Sequence, residues 1–229
     1  MSDGRESSDD RGLTDGRESI LAGVRGALEG APGERAREQS PGGAGGGVEP
    51  TEMAPTGLIE LLRARLLDHG VQVVEARAAE VAGALDRVLT AHDVTRVAVP
   101  PGLPASWRPS SVPVADDHGL TAAELDGLDA VVTGCTLAVA ETGTLVLTAG
   151  PAEGRRVLTL VPDLFVCVVQ AADVVADAGA ALVAVAPLVR DERRPLTFIS
   201  GPSATSDIEL QRVQGVHGPR RLVVVLVSD

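Results

Sequence analysis

Glu141 is the first residue whose setting suggests chemistry. It stands in Thr133-Gly-Cys-Thr-Leu-Ala-Val-Ala-Glu-Thr-Gly-Thr144, just ahead of a flexible Thr142-Gly143 and between two apolar stretches. Burial disfavours the charged form of a carboxylate, so a glutamate in such a place can serve as a base or a nucleophile. The same placement suits a turn glutamate that fixes two strands by accepting backbone hydrogen bonds. Residue types alone leave both readings open.

Three further segments could meet an anion. In Ile199-Ser-Gly-Pro-Ser-Ala-Thr-Ser-Asp-Ile-Glu209 a glycine and hydroxyl-rich loop carries Gly201, Ser203 and Thr205, and Ser206 with Glu209 matches a capping box. The free amides of such a helix start can hold a phosphate or carboxylate, or the helix can simply be capped and bind nothing. The segment is neither a P-loop nor G-x-G-x-x-G. Arg155 and Arg156 follow Gly154 and can neutralise an anionic ligand, although paired surface arginines are commonly solvated. His217, in Gly215-Val-His-Gly-Pro219, reads as a general base, a ligand-contacting donor or the cap of a turn. His69, His92 and His118 show no ligand spacing, so neither a metal site nor a bound cofactor is expected.

Composition narrows the classes. The 229 residues carry 20 basic against 32 acidic side chains, a formal net charge of −12, which argues against nucleic-acid binding. All the cations are arginine, so lysine Schiff-base chemistry and a Walker lysine are excluded. The two cysteines, Cys135 and Cys167, cannot assemble an iron–sulfur cluster or a four-cysteine zinc site from this chain alone. Cys167 lies inside an apolar run and reads as core. Cys135 follows a strand, where a ligand crevice can open, but it has no activating neighbour in sequence and also reads as core. The first residues lack the order of a secretory signal and no charge-free apolar run is long enough to span a membrane, so a cytoplasmic location is expected.

These candidates need elements to position them. Residues 1–50 hold 12 of the 26 glycines and read as low complexity, with 1–15 disordered and 31–55 a Gly/Pro-rich linker. Between them, Ile20, Leu21, Val24 and Leu28 recur at helical spacing, which predicts a docking helix within 16–30. From residue 56 to 229 strands and helices alternate, the pattern of an α/β domain with a largely parallel sheet flanked by helices. Helices are expected near 58–66 (stopped by Gly70), 78–89, 121–125, 171–181 and from Ser206. Strands are expected at 71–74, 96–99, 130–133, 144–148, 157–161, 165–169, 197–200 and 222–227. After Gly143 the strands crowd together with only loops between them, so antiparallel excursions are predicted there.

Taken together, Thr133-Gly-Cys135, Ala140-Glu-Thr-Gly-Thr144, Arg156 with Leu158-Thr-Leu-Val-Pro-Asp163, Ile199-Ser-Gly-Pro-Ser203, Ser206-Asp-Ile-Glu209 and Gly215-Val-His-Gly-Pro219 form an ordered series. The series resembles the lactate utilization protein C family, whose common module is the LUD domain. The resemblance implies a fold related to ribose-5-phosphate isomerase, 5-formyltetrahydrofolate cyclo-ligase and the CoA transferases. It also implies a role in oxidising L-lactate to pyruvate beside separate iron–sulfur subunits, which agrees with the missing cysteine clusters. The CoA transferases place a nucleophilic glutamate before a short residue and a glycine, as Glu141-Thr142-Gly143 stands here, with Thr142 in place of the usual asparagine.

The leading expectation is therefore a non-redox component with a crevice for a small anionic or phosphate-bearing ligand. Glu141 would be its catalytic residue, and Thr142, Gly143, Arg156, Gly201, Ser203, Thr205 and His217 would line it. The alternatives are a stand-alone acyl-transferring or isomerising enzyme using Glu141, and a pure assembly protein for the iron–sulfur partners.

Overall fold

The computed structural model describes residues 53–206, 212–214 and 218–228. The segments expected at 1–15, 16–30 and most of 31–55 lie outside these residues, as do Glu209 and His217. The elements run α1 (Pro55–Asp68), β1 (Gln72–Arg77), a 3-10 turn at Ala78–Glu80, α2 (Val81–Ala91), β2 (Val97–Val99), β3 (Val114–Asp116), α3 (Ala122–Asp126) and β4 (Ala130–Gly134). They continue with β5 (Leu137–Val139), β6 (Thr144–Leu147), a 3-10 turn at Arg156–Thr159, β7 (Leu164–Gln170), β8 (Val174–Val175), α4 (Ala178–Arg190), β9 (Thr197–Ile199), β10 (Ala204–Ser206), β11 (Arg212–Gln214) and β12 (Arg221–Ser228).

β7 and β12 are apolar without alternation, and such strands must be covered on both faces. They form the centre of a six-stranded, wholly parallel sheet in the order β1-β12-β7-β4-β2-β3. The period of two divides their side chains between two cores. Phe165, Cys167, Val169, Val224 and Leu226 meet Leu62 and Leu66 of α1 and Leu145 of β6. Val166, Val168, Val223 and Val225 meet Val81, Leu85 and Leu89 of α2 on the other face. The expected mixture of directions is resolved into two sheets, because the antiparallel pairs β5/β6 and β6/β9 sit in a separate four-stranded sheet, β8-β5-β6-β9. β10 and β11 pair as an antiparallel ribbon.

Local chemistry fixes the ends that matter. Gly70 adopts φ +75°, and Val71 N and Gly70 N donate back to Leu66 O and Leu67 O at 2.9 Å each, which closes α1 as its sequence predicts. Thr121 and Glu124 exchange the reciprocal bonds of a capping box at the start of α3.

Two expectations are corrected. The strand expected at 157–161 is the 3-10 turn Arg156–Thr159, where the Thr159 hydroxyl donates to Arg156 O at 3.1 Å and shortens the repeat to three residues. The helix expected from 171 begins only at Ala178, because Asp177 caps it through Ala180 N at 2.8 Å. Ahead of that cap Ala171–Asp173 form a 3-10 turn and Val174–Val175 run along β5 as β8, with Val175 O accepting from Ala140 N. Ser206 closes β10 opposite Arg212, and the residues of the helix expected after it lie outside the described ones. β3 and β5, three residues each, were not anticipated.

Candidate functional site: a cavity beside Arg156

A cavity of about 350 Å³ opens where the Arg156–Thr159 turn, the amino ends of β7 and β12, and the chain leaving β9 converge. Phe165 and Leu222, each the second residue of its strand, form its floor, and Ser200, Gly201 and Ser203 form one rim. Arg156 and Thr159 line it as well. The crevice considered near Cys135 would have been at the carboxyl ends of the strands, whereas this cavity lies toward the amino ends.

Arg156 is the charged group of the cavity. Its Nη1 donates to the Thr159 carbonyl at 3.3 Å and to the Thr159 hydroxyl. None of the ion pairs among the described residues involves it. Burial draws its pKa below the usual guanidinium value, yet a guanidinium remains cationic at any physiological pH. The residue is exposed overall, and a guanidinium beside hydroxyls with no carboxylate partner among the described residues suits a bound anion.

The Glu141-Thr142-Gly143 turn is placed differently. Glu141 and Thr142 are exposed, at the bend between β5 and β6, and neither lines the cavity. A run of hydroxyls joins the turn to the rim: Thr142 Oγ1 lies 2.8 Å from Thr144 Oγ1, which lies 2.7 Å from Ser200 Oγ. Gly143 is required by geometry. Its φ is +61°, and a Cβ there would lie 2.8 Å from Arg65 Cβ and 3.0 Å from the Arg65 carbonyl carbon.

The end of α1 organises both segments, which sequence reading missed. Arg65 Nε donates to Glu141 O at 3.1 Å, and His69 Nε2 donates to Thr142 O at 3.0 Å. Gly201, at φ +129°, passes so close that a Cβ would lie 3.2 Å from His69 Cβ. Nothing in the helical pattern distinguishes Arg65 or His69 from solvated residues. Among the expected ligand residues the cavity therefore unites Arg156, Gly201 and Ser203. Thr142 and Gly143 stand behind the rim, Thr205 sits in β10 opposite Val213, and His217 lies outside the described residues.

The buried carboxylates among the described residues are Asp117 and Glu153, not Glu141. Glu153 accepts from Thr136 Oγ1 at 2.6 Å, Thr148 N at 2.7 Å and Gly150 N at 2.8 Å, which pins the loop after β6. Asp117 accepts from Arg155 through both oxygens and from Gly119 N and Leu120 N. Arg155 holds the Asp117 carboxyl below its ordinary pKa, and Asp117 in turn raises that of Arg155. Cys135 and Cys167 are apposed. Contact with Cys167, followed by burial, pushes the Cys135 thiol well up, which describes a core pair rather than a nucleophile. No group of three or more His, Cys, Asp or Glu among the described residues is placed to hold a metal ion. No helix among them is long and apolar enough to cross a membrane.

A model of the LUD domain matches residues 112–227, a span that includes the cavity floor, the arginine turn and both rims. The chain belongs to the LUD-domain family. Among curated relatives it is 45% identical over 180 residues to "Lactate utilization protein C" of Deinococcus radiodurans, covering 78% of this chain and 84% of that one. It is 27% identical over 185 residues to the protein of the same name from Anoxybacillus flavithermus, covering 75% and 81%. Among solved structures, a DUF162 family protein from Deinococcus radiodurans matches with a TM-score of 0.67 and 39% identity, over 77% of this chain and 99% of that one. The matched span thus holds β3, β4, β7 and β12 of the parallel sheet and all of the second sheet, while α1, which braces the rim, precedes it.

Proposed function

We propose that this LUD-domain protein is the non-redox component of an L-lactate utilization system and binds a small anionic ligand in the cavity beside Arg156. Relatives named lactate utilization protein C support the system. The observation that carries the ligand class is the Arg156 guanidinium, which lines the same cavity as Ser200 and Ser203 and has no carboxylate partner among the described residues. Electron transfer would fall to iron–sulfur partner subunits, since two thiols cannot hold a cluster. Glu141 would act from the turn behind the rim, through the Thr142–Thr144–Ser200 hydroxyls.

Deletion of the gene should prevent growth on L-lactate as sole carbon source, and Arg156→Gln should fail to restore it. Unimpaired growth of the deletion strain, with no second copy present, would reject the role. Glu141→Gln in the same complementation tests its carboxylate, and full restoration would remove Glu141 from the chemistry. With purified protein, an anion at a hundredfold excess over its dissociation constant should raise stability by about 2.7 kcal/mol, and Arg156→Gln should erase that gain. An assembly role has one observation of its own: α4 is apolar around its circumference, and Leu182 and Val183 are exposed. Val183→Glu should then abolish co-purification with the iron–sulfur subunits while leaving the fold intact.

A further inference from the structure

The cavity beside Arg156 is larger and more apolar than a three-carbon acid requires. At about 30 Å³ per water, its 350 Å³ corresponds to about a dozen waters, roughly twice lactate's heavy-atom count. Phe165 and Leu222 are register partners in the parallel sheet, so their side chains stand side by side and make an apolar floor two strands wide. Both are buried. Ile199, Pro202 and Pro219 add apolar surface, and Phe198, half-exposed, lines the cavity as well. Both phenylalanines of the chain are thus found here.

Against this apolar lining stands one charge. Arg156 is the only ionisable side chain among the described residues that line the cavity. Its Nη1 is engaged by Thr159, while its Nε and Nη2 have no hydrogen-bond partner among the described residues. That leaves open the edge of the guanidinium that grips a carboxylate by two parallel bonds. One cation matches one negative charge. A phosphate ester would bring a second, with no cation of the lining to meet it and a protein of net charge −12 around it. On the rim, the Ser200 hydroxyl lies 2.7 Å from Thr144 Oγ1, a single bond that leaves it capacity for another partner.

A small-molecule site with a mostly apolar wall and a few polar groups sorts its ligands by the polar groups for orientation and by the wall for size and shape. We propose that the cavity takes a 2-oxo or 2-hydroxy monocarboxylic acid whose side chain is a branched alkyl or aryl group in place of lactate's methyl. Its carboxylate would lie on Nε and Nη2 of Arg156, its 2-oxygen would meet the Ser200 hydroxyl, and its side chain would cover Phe165 and Leu222. This deepens the reading of the cavity as an anion site and rests on it. Each carbon added to the side chain brings more apolar surface out of water, so affinity should climb from the methyl compound upward until the cavity is full.

The test is calorimetric titration of the full chain with 4-methyl-2-oxopentanoate, pyruvate, L-lactate, inorganic phosphate and the neutral ketone 4-methylpentan-2-one. The branched acid should bind at least tenfold more tightly than pyruvate or L-lactate, and at least tenfold more tightly than phosphate or the ketone that lacks its carboxylate. Arg156→Gln should weaken it at least tenfold. Phe198→Ala, at a half-exposed position whose replacement spares the core, should narrow the gap between the branched acid and pyruvate while leaving pyruvate unchanged. Pyruvate or L-lactate binding through Arg156 as tightly as the branched acid overturns the inference and leaves the small-anion reading standing. Phosphate binding most tightly also overturns it, in favour of a more highly charged ligand. If no acid binds, or the branched acid binds indifferently to Arg156→Gln, the inference and the anion site fall together.

Discussion

Replacing Gly143 by alanine separates two effects that glycines usually confound. Gly70 and Gly143 both hold left-handed φ, +75° and +61°, but nothing lies within 4 Å of a Cβ built on Gly70, whereas one built on Gly143 meets Arg65 at 2.8 Å. Gly70→Ala should therefore cost only the backbone conformation, about 1 kcal/mol. Gly143→Ala adds forced repacking against Arg65 Cβ and backbone rather than a flexible tip, which costs about 1–3 kcal/mol more. A total of about 3 kcal/mol corresponds to a fall in Tm of about 6–12 °C for a unit of this size, against about 2–4 °C for Gly70→Ala. Thermal denaturation followed by circular dichroism reads both. A Gly143→Ala loss no larger than that of Gly70→Ala would refute the close packing of the 141–143 turn against α1. The same variant should also loosen the Thr144–Ser200 link and weaken whatever the cavity binds.

Three other outcomes follow from contacts already described. Arg155→Ala should cost about 2 kcal/mol at pH 7, below the roughly 3–5 kcal/mol of a wholly buried pair because Arg155 is half-exposed. The folded-state pKa of Asp117 is depressed, so the pair's contribution is present above the unfolded carboxylate's value near 3.9 and is lost as pH falls through the lower folded value. Urea denaturation at pH 7 and pH 3 should show the gap between wild type and variant closing in acid, and a constant gap would contradict the assignment. Thr121→Ala removes the hydroxyl that caps α3 and should cost about 1 kcal/mol by the same denaturation. The thiol of Cys135, half-buried and raised by contact with Cys167 and by burial, should react with a disulfide reagent at pH 8 more slowly in native protein than after unfolding; equal rates in the two states would contradict its setting.

Much of this architecture is written in period and punctuation. β7 and β12 declare themselves by unbroken apolar runs, α2 by its helical stripe, and the end of α1 by Gly70. Where the sequence misleads, a side chain settles the matter by a bond that no pattern encodes. Val-Leu-Thr-Leu-Val at 157–161 reads as a strand by its apolar and β-branched residues until the Thr159 hydroxyl turns back on Arg156 O. The site divides in the same way. Arg156, Gly201 and Ser203 were found by type, since an arginine and a glycine-hydroxyl loop suit an anion, and they do converge. Arg65, His69 and Glu153 were invisible, because each acts on backbone groups 76, 73 and 3 to 5 residues away, where only the folded chain shows a partner.

The sheet order has a consequence for how the chain is made. β1 lies at the edge of the parallel sheet and its strand partner is β12, with Gln72 opposite Val223 and Arg77 opposite Ser228. During synthesis, β1 leaves the ribosome long before that partner exists, and at about 5–20 residues per second the delay is several seconds or more. Until β12 inserts between β1 and β7, two strand edges and the apolar surfaces of both cores lack their closing strand, a slow, non-local step of the kind that invites misassembly. The last strand thus acts as the keystone of the domain, and a nascent chain halted before residue 221 would be a client for a chaperone rather than a smaller version of the protein.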